Sequence, residues 1–329
     1  MKQLCPYFGK CGGCSYQDMP MDAYLDMKKR YILRCFSDYE LSPKLEDIVC
    51  IPLHSRRRAC FAFHKGHLGF NEKKSHTIID ITSCQLLTQP LCDIIEPLRQ
   101  LTKTLTTSGD IFVLDTSYGI DMHIKAPKGK TNLTILETLA NFANRHNIAR
   151  LLYNNDPIIE RVHLPFPPDT FLQPSQAGEE TLIRLMTKHI KNAQTAIDLF
   201  CGTGTFTRPL LKAGLTVTGY DSSVDSVKTL GCNGKARDLF RNPLLPNEFD
   251  HIDLVVIDPP RAGAETQTKM LSETQVPTIV MISCNPSTCA RDLKILIEAG
   301  WKINEITPVD QFIYSKHIEL VCALSKNTD

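Results

Sequence analysis

Apolar positions along this chain follow two rhythms, and the change between them falls near residue 165. Before it the period is mostly two. Ala59, Phe61 and Phe63 occupy alternate positions, Lys65-Gly66 turns the chain, Leu68 and Phe70 follow, and a polar stretch at 71–75 precedes Thr77-Ile78-Ile79. Alternation broken by turn residues predicts antiparallel strands. Two further runs, 111–114 and 120–125, read as a hairpin, and 149–153 as one more strand. Residues 91–105 and 133–144 carry helical spacing, as does 24–36 through Tyr24, Met27 and Tyr31. This half therefore reads as an α+β domain with an antiparallel sheet.

Pro165, Pro167 and Pro168 cluster within 164–170 and mark the boundary, which divides the chain into residues 1–165 and 166–329. After it, strand-length apolar runs alternate with helices. Residues 195–200 end in the turn Cys201-Gly202-Thr203-Gly204 and feed a helix at 206–213; 215–220 ends in Asp221, 251–257 in Asp258-Pro259-Pro260, and 276–282 in Ser283-Cys284. Such a pattern predicts a doubly wound parallel sheet, whose ligands bind outside the carboxyl ends of the strands. All of these polar residues fall on that rim.

The chemistry of the rim narrows its ligand. A glycine turn after the first strand, with acidic Asp221 about twenty residues on to accept ribose hydroxyls, suits a nucleoside-bearing cofactor. The turn lacks the third glycine that a pyrophosphate favours, so S-adenosylmethionine fits better than a dinucleotide. Cys284 lies between a β-branched run and Asn285-Pro286, a helix N-cap followed by a first-turn proline. Backbone N–H groups and the helix dipole there are expected to stabilise a thiolate, which gives Cys284 the setting of a nucleophile against the plain alternative of a buried cysteine. Cys289, five residues further on, is expected to point elsewhere, and Cys201 to pack.

Composition adds bounds. With 329 residues, 42% of them hydrophobic, and a net charge of +1, the chain has material for two domains and no global attraction to nucleic acid. RNA contact would have to come from local basic runs such as Lys28-Lys29-Arg30, Arg56-Arg57-Arg58 and 125–130, each of which has a solvated face as its simpler explanation. A polar amino terminus and the lack of any run of roughly twenty apolar residues lead to the expectation of a cytoplasmic protein without membrane contact. Thirteen cysteines, an odd number with no export signal, shift the expectation from disulfides to metal or catalytic roles.

Three of those cysteines, Cys5, Cys11 and Cys14, stand close together around Pro6, Gly9, Gly12 and Gly13, in a loop able to converge sulfurs. A fourth ligand would come from Cys35, Cys50, Cys60, Cys84 or Cys92. The absence of a second Cys-x-x-Cys leans away from a zinc ribbon, and spacing leaves both zinc and a four-iron cluster open.

Taken together, three segments resemble the motifs of the RNA uracil-5 methyltransferases: residues 198–206 (Asp198-Leu199-Phe200-Cys201-Gly202-Thr203-Gly204-Thr205-Phe206), 258–263 (Asp258-Pro259-Pro260-Arg261-Ala262-Gly263) and Ser283-Cys284-Asn285-Pro286. The amino-terminal cysteine loop together with Cys84 is similar to the four-iron, four-sulfur ligand set of the 23S ribosomal RNA branch, in its short form without an added oligonucleotide-binding barrel. The resemblance spans nearly the whole chain. It implies a Rossmann-like class I methyltransferase domain behind the α+β domain, an iron–sulfur loop held by Cys5, Cys11, Cys14 and Cys84, and S-adenosylmethionine contacted by Gln173, Phe200, Thr205, Asp221 and Asp258. It also implies that Cys284 adds to carbon 6 of uracil. It implies further that Glu319, at the start of a last, antiparallel strand, removes the carbon-5 proton. The implied partner is RNA, most of all 23S rRNA, offering a single-stranded or flipped uridine to a monomeric enzyme. The departures are Thr205, Ser175 and Ile313, where the family has other residues. Two alternatives are a transfer-RNA uracil-5 methyltransferase and a metal-bearing RNA-binding protein that has lost catalysis. An amino-group methyltransferase would want an aromatic residue where Arg261 follows Asp-Pro-Pro, and would leave Cys284 without a task.

Overall fold

The computed structural model describes residues 5–105, 107–127, 133–190 and 192–326, so the basic run 125–130 lies partly outside the described residues. Helix α1 (Met21–Ser37) and the short strand β1 (Val49–Cys50) come first, followed by β2 (Arg58–His64), β3 (His67–Asn71) and β4 (Ile78–Asp80). Next are α2 (Gln89–Asp93), α3 (Ile95–Leu105), β5 (Ser108–Thr116), β6 (Gly119–Lys125), α4 (Leu133–Arg145), β7 (Ile148–Tyr153) and β8 (Asp156–Glu160). The second half holds α5 (Gln176–Thr187), β9 (Thr195–Leu199), α6 (Thr207–Lys212), β10 (Thr216–Asp221), α7 (Val224–Lys228), β11 (Asn233–Ala236) and β12 (Leu254–Ile257). It closes with α8 (Glu265–Ser272), β13 (Thr278–Ser283), α9 (Pro286–Glu298), β14 (Trp301–Asp310) and β15 (Glu319–Lys326).

Two sheets organise these elements. One has the order β4-β3-β2-β5-β6-β7-β8 and the other β1-β14-β15-β13-β12-β9-β10-β11. The seven-stranded sheet is antiparallel as expected except for β6 and β7, which run parallel because α4 carries the chain back between them. Phe61, Phe63, Ile111, Val113, Met122 and Ile124 point to one face of it and are sealed by α3 and α4. The single helix expected at 91–105 is two, α2 and α3, divided at Ile94.

In the eight-stranded sheet β12 has its whole length buried: Val255 and Ile257 face α1, α8 and α9, while Leu254 and Val256 face α5 and α6. Burial of both faces explains why these strands read as unbroken apolar runs instead of alternating ones. β15 runs antiparallel to both β13 and β14, as the family resemblance implies, and so returns Glu319 to the rim: Leu320 pairs with Ser283, the last residue of β13. This is a Rossmann-like mixed sheet.

Residues 21–51, amino-terminal to the antiparallel sheet, pack on this second sheet. Ile32 and Phe36 of α1 join its core, and β1 pairs with β14 in parallel. A buried ion pair fixes the helix there: Lys28 Nζ lies 2.5 Å from Asp310 Oδ1 with both side chains enclosed, and Tyr24 donates its hydroxyl to Asp310 Oδ2 at 2.8 Å. No helix among the described residues is long and apolar enough to cross a membrane.

Candidate active site

At the carboxyl rim of β9, β10, β12 and β13 lies a cavity of about 460 Å³, within the usual range for a cofactor site. All seven residues expected to bind cofactor or catalyse, Gln173, Phe200, Thr205, Asp221, Asp258, Cys284 and Glu319, line it. The turn after β9 makes room by adopting left-handed backbone at Phe200, Gly202 and Gly204. A Cβ at Gly204, already at φ +96°, would meet Leu230 at 2.9 Å, so glycine is required there. Asp221 ties the turn to β10, because Oδ2 accepts the Gly202 N–H and Oδ1 the Ser223 N–H, both at 2.9 Å. A carboxylate has about four acceptor positions, so capacity for two ribose hydroxyls remains.

The part of the wall around residues 237–240 was not singled out by sequence. Arg237 holds Glu248 through two bonds of 2.6 and 2.9 Å and so fixes the loop that presents Asp238, Leu239 and Phe240 to the cavity. Phe240 meets Phe200 at a centroid distance of 5.4 Å. The only available signal was position after β11, whose Asn-Gly-Lys-Ala sequence does not look like a strand.

Cys284 leaves β13 half-buried, and Asn285 caps α9 by accepting the Ser287 N–H at 3.2 Å. The same asparagine donates to the Arg261 carbonyl at 3.0 Å, which joins this turn to the 258–263 loop. Here the sequence expectation needs correcting. Burial, then the negative charges of Glu319 and Asp258, pushes the Cys284 thiol up to about 11, with Arg261 pulling it back in part. The resting group is a thiol, since desolvation and two carboxyl groups outweigh the helix end. Burial likewise pushes Glu319 up to about 7, against the opposing pull of the Gln311 amide and Arg261. Asp258 is held well above the carboxylate range by burial, Glu319 and Asp198. Arg261 is therefore the cation that acts on both Cys284 and Glu319, and sequence reading had used it only to reject an alternative.

Gln173 reaches the cavity from the segment between the sheets. Arg57 donates to its carbonyl at 3.0 Å and pairs with Glu179 at 2.6 Å, while Arg58 stacks 4.7 Å over Phe171. The Arg56-Arg57-Arg58 run thus clamps that segment and is not a free basic face. Ser175, one of the family departures, performs an asparagine's capping task by accepting the Gly178 N–H at 2.9 Å at the start of α5. Cys289 sits in the core, 3.7 Å from Cys322, facing away from the cavity. Cys201 packs with Val227 and Leu230.

A second cavity, about 450 Å³, is lined by Cys5, Cys11, Cys14 and Cys84 and shares Phe171 with the first. Burial and then the facing charges of Cys84, Cys11 and Cys5 push Cys14 up to about 11. As they stand, no three His, Cys, Asp or Glu side chains among the described residues form a set that could hold a metal ion. The cysteine loop is joined to the loop before Glu319: Ser15 donates its N–H to the Tyr314 carbonyl at 2.7 Å.

A glycine turn, an acidic strand end and an antiparallel last strand on a Rossmann-like sheet define the class as S-adenosylmethionine-dependent methyltransferase. Comparison with known proteins narrows this. The family profile described as tRNA (Uracil-5-)-methyltransferase matches residues 235–327. An uncharacterized RNA methyltransferase of Brucella suis is 34% identical over 98% of this chain and 84% of its own, and one of Agrobacterium fabrum is 34% identical over 98% and 85%. A Shewanella baltica protein named 23S rRNA (uracil(1939)-C(5))-methyltransferase is 28% identical over 96% of this chain and 80% of its own. In fold, the chain is similar to the Pyrococcus abyssi tRNA (uracil-54, C5)-methyltransferase solved with S-adenosyl-L-homocysteine, with a TM-score of 0.75 at 21% identity, covering 95% of this chain and 85% of that one. The chain belongs to the RNA (uracil-5-)-methyltransferase family.

Proposed function

We propose that this enzyme methylates carbon 5 of a uridine in 23S rRNA through a covalent bond between Cys284 and uracil carbon 6. The observation that carries the reading is the meeting of Cys284, Glu319 and Asp258 with the cofactor turn in one cavity. Carbon 5 of uracil is too weak a nucleophile to take a methyl group unaided, so the Cys284 thiolate first bonds to carbon 6 and the ring electrons move onto the carbon-4 oxygen as an enolate. The enolate's carbon 5 then takes the methyl group, the sulfonium–carbon bond breaks, and neutral S-adenosylhomocysteine is left. Glu319 accepts the carbon-5 proton, the carbon 5–carbon 6 double bond reforms, and the thiolate departs. Arrival of the sulfonium cation beside two carboxyl groups and the thiol favours the thiolate that the resting site disfavours. Asp258, in the same cavity, is placed to hold the uracil edge or the cofactor. Gln173, Phe200, Thr205 and Asp221 hold the donor.

Ribosomal RNA is favoured over transfer RNA by the relative that matches nearly the whole chain and is named for 23S rRNA. Residues 52–165 and the cysteine loop are the RNA-gripping part, and the enzyme works as a monomer. That Cys5, Cys11, Cys14 and Cys84 all line one cavity supports the reading that they hold a four-iron, four-sulfur cluster. Half-buried Arg56 faces Cys84 and Cys14 and offsets part of their charge. When bound, the cluster would cross-link the 5–14 loop to Cys84 and leave the methyl-transfer chemistry to protein side chains.

Cys284→Ala is expected to abolish methylation of rRNA transcripts and the adduct with 5-fluorouridine RNA. Turnover by that variant would refute the assignment.

A further inference from the structure

The first turns of α9 grip the 258–263 loop through side chains to which the proposed mechanism gives no task. Asn285 Nδ2 and Thr288 Oγ1 donate to the Arg261 carbonyl at 3.0 and 3.3 Å, and Arg291 Nη2 donates to the Ala262 carbonyl at 3.1 Å. Asp292 Oδ2 accepts the Ala264 N–H at 2.7 Å. Residues three or four apart are neighbours on a helix surface, so these side chains share one face. Asp292 is 1% exposed and is held in turn by Arg291, whose Nε and Nη2 both donate to Oδ1, at 2.8 and 2.7 Å. A buried carboxylate is costly unless its oxygens are satisfied, and here both are used inside the clamp. The loop is shaped to receive it. The Gly263 N–H closes a turn onto the Pro260 carbonyl at 2.8 Å. At φ +75°, a Cβ on Gly263 would stand 2.5 Å from Arg291 Nη2 and 2.7 Å from Asp292 Oδ2, so the glycine leaves the space that the clamp fills.

The clamp ties together two parts of one cavity wall. Pro259, Pro260 and Arg261 line the cavity on the loop side, and Cys284, one residue ahead of the α9 N-cap, lines it as well. We propose that Arg291 and Asp292 are positioning residues for the covalent step: they fasten the loop that the incoming uracil meets to the helix that begins beside Cys284, so that wall and sulfur keep one spacing when RNA enters. The inference rests on Cys284 being the nucleophile. Attack on carbon 6 needs the two atoms about 3–3.5 Å apart and aligned, and a misplacement of about 1 Å costs on the order of a hundredfold in rate. The donor side is held by different bonds: Asp221 accepts the Gly202 N–H, and the Asp258 N–H is held by the Leu199 carbonyl at 3.2 Å.

The test separates adduct chemistry from donor binding in the full chain. The rate of covalent adduct formation is followed at saturating 5-fluorouridine RNA, and the dissociation constant of S-adenosylhomocysteine is measured by calorimetry. Asp292→Ala, which releases Ala264 and Arg291 together, should slow the adduct by about ten- to a hundredfold and leave the dissociation constant unchanged. Arg291→Met, at a side chain 26% exposed, removes the bond to Ala262 and should slow the adduct to a smaller extent; it decides the question should Asp292→Ala not fold. Arg291→Lys, which keeps the charge and a donor, should recover most of the rate. Adduct formation at the wild-type rate in Arg291→Met, or a weakening of S-adenosylhomocysteine binding equal to the loss of adduct rate, would show that the pair serves only the fold, and the proposal falls. If Cys284→Ala still forms the adduct, the nucleophile assignment is what has failed.

Discussion

Two carboxyl groups and one cation decide how Cys284 behaves. Because Glu319 and Asp258 raise the thiol and Arg261 lowers it, the proposed nucleophile and the proposed base are electrostatically linked: a negative charge on Glu319 opposes the thiolate. Removing that charge should therefore make the cysteine more reactive while it makes the enzyme inactive. Glu319→Gln is expected to speed iodoacetamide labelling of Cys284 a few-fold at pH 8 to 9, as read by peptide mass spectrometry, and to accumulate the covalent RNA adduct. Slower labelling than in the wild type would show that the two groups do not sense each other. Removal of the carbon-5 proton, read as tritium released from labelled RNA, should rise with pH through about 7. Glu319 is raised by burial, so it is protonated and useless as a base below that value and ionised above it.

At the scale of elements, α1 does the most that its own sequence conceals. Lys28 reads as part of a solvated basic run, yet it is buried against Asp310 and donates also to the His317 carbonyl at 2.6 Å. In this way the helix grips both ends of the β14–β15 connection that carries Gln311 and leads into Glu319. Lys28→Met would leave Asp310 charged and enclosed without its cation. It should lower stability by about 3–5 kcal/mol in urea titrations, the usual result of breaking one side of a buried pair. The exposed Arg30–Asp26 pair on the same helix is a control, and Arg30→Ala should leave the midpoint within error. Equal effects from the two substitutions would mean that the buried pair is not what anchors α1.

Across the whole molecule, the two sheets meet along the segment 170–175, and the two cavities sit on either side of it with Phe171 common to both. The cysteine loop therefore lies one layer from the methyl-transfer site and bonds to Tyr314 in the loop ahead of Glu319. The full chain purified without oxygen is expected to be brown and to carry a four-iron cluster, and Cys84→Ser to lose most of the iron while still binding S-adenosylmethionine. One zinc per chain, or no metal at all, would overturn the cluster. A strain lacking the protein should lose one or more 5-methyluridines from 23S rRNA when they are mapped by mass spectrometry. Loss from transfer RNA instead would move the substrate assignment.

Strand ends were legible in the sequence because they are local events. An apolar run must stop where the chain turns, and the polar residues that end each run, Cys201, Asp221, Asp258 and Cys284, are its immediate neighbours in the chain. Thus the Rossmann-like half, its glycine turn and the residues along its rim could all be derived in order. Long-range pairing could not. That α1 covers the second sheet, that β1 pairs with β14, and that Arg57 serves Gln173 depend on residues more than a hundred positions apart, whose encounter leaves no periodic trace. The thiol state of Cys284 was decided in the same way. A helix end is visible in sequence, but the charges of Glu319 and Asp258 come from two other strand ends, and only folding brings them, with burial, close enough to outweigh it.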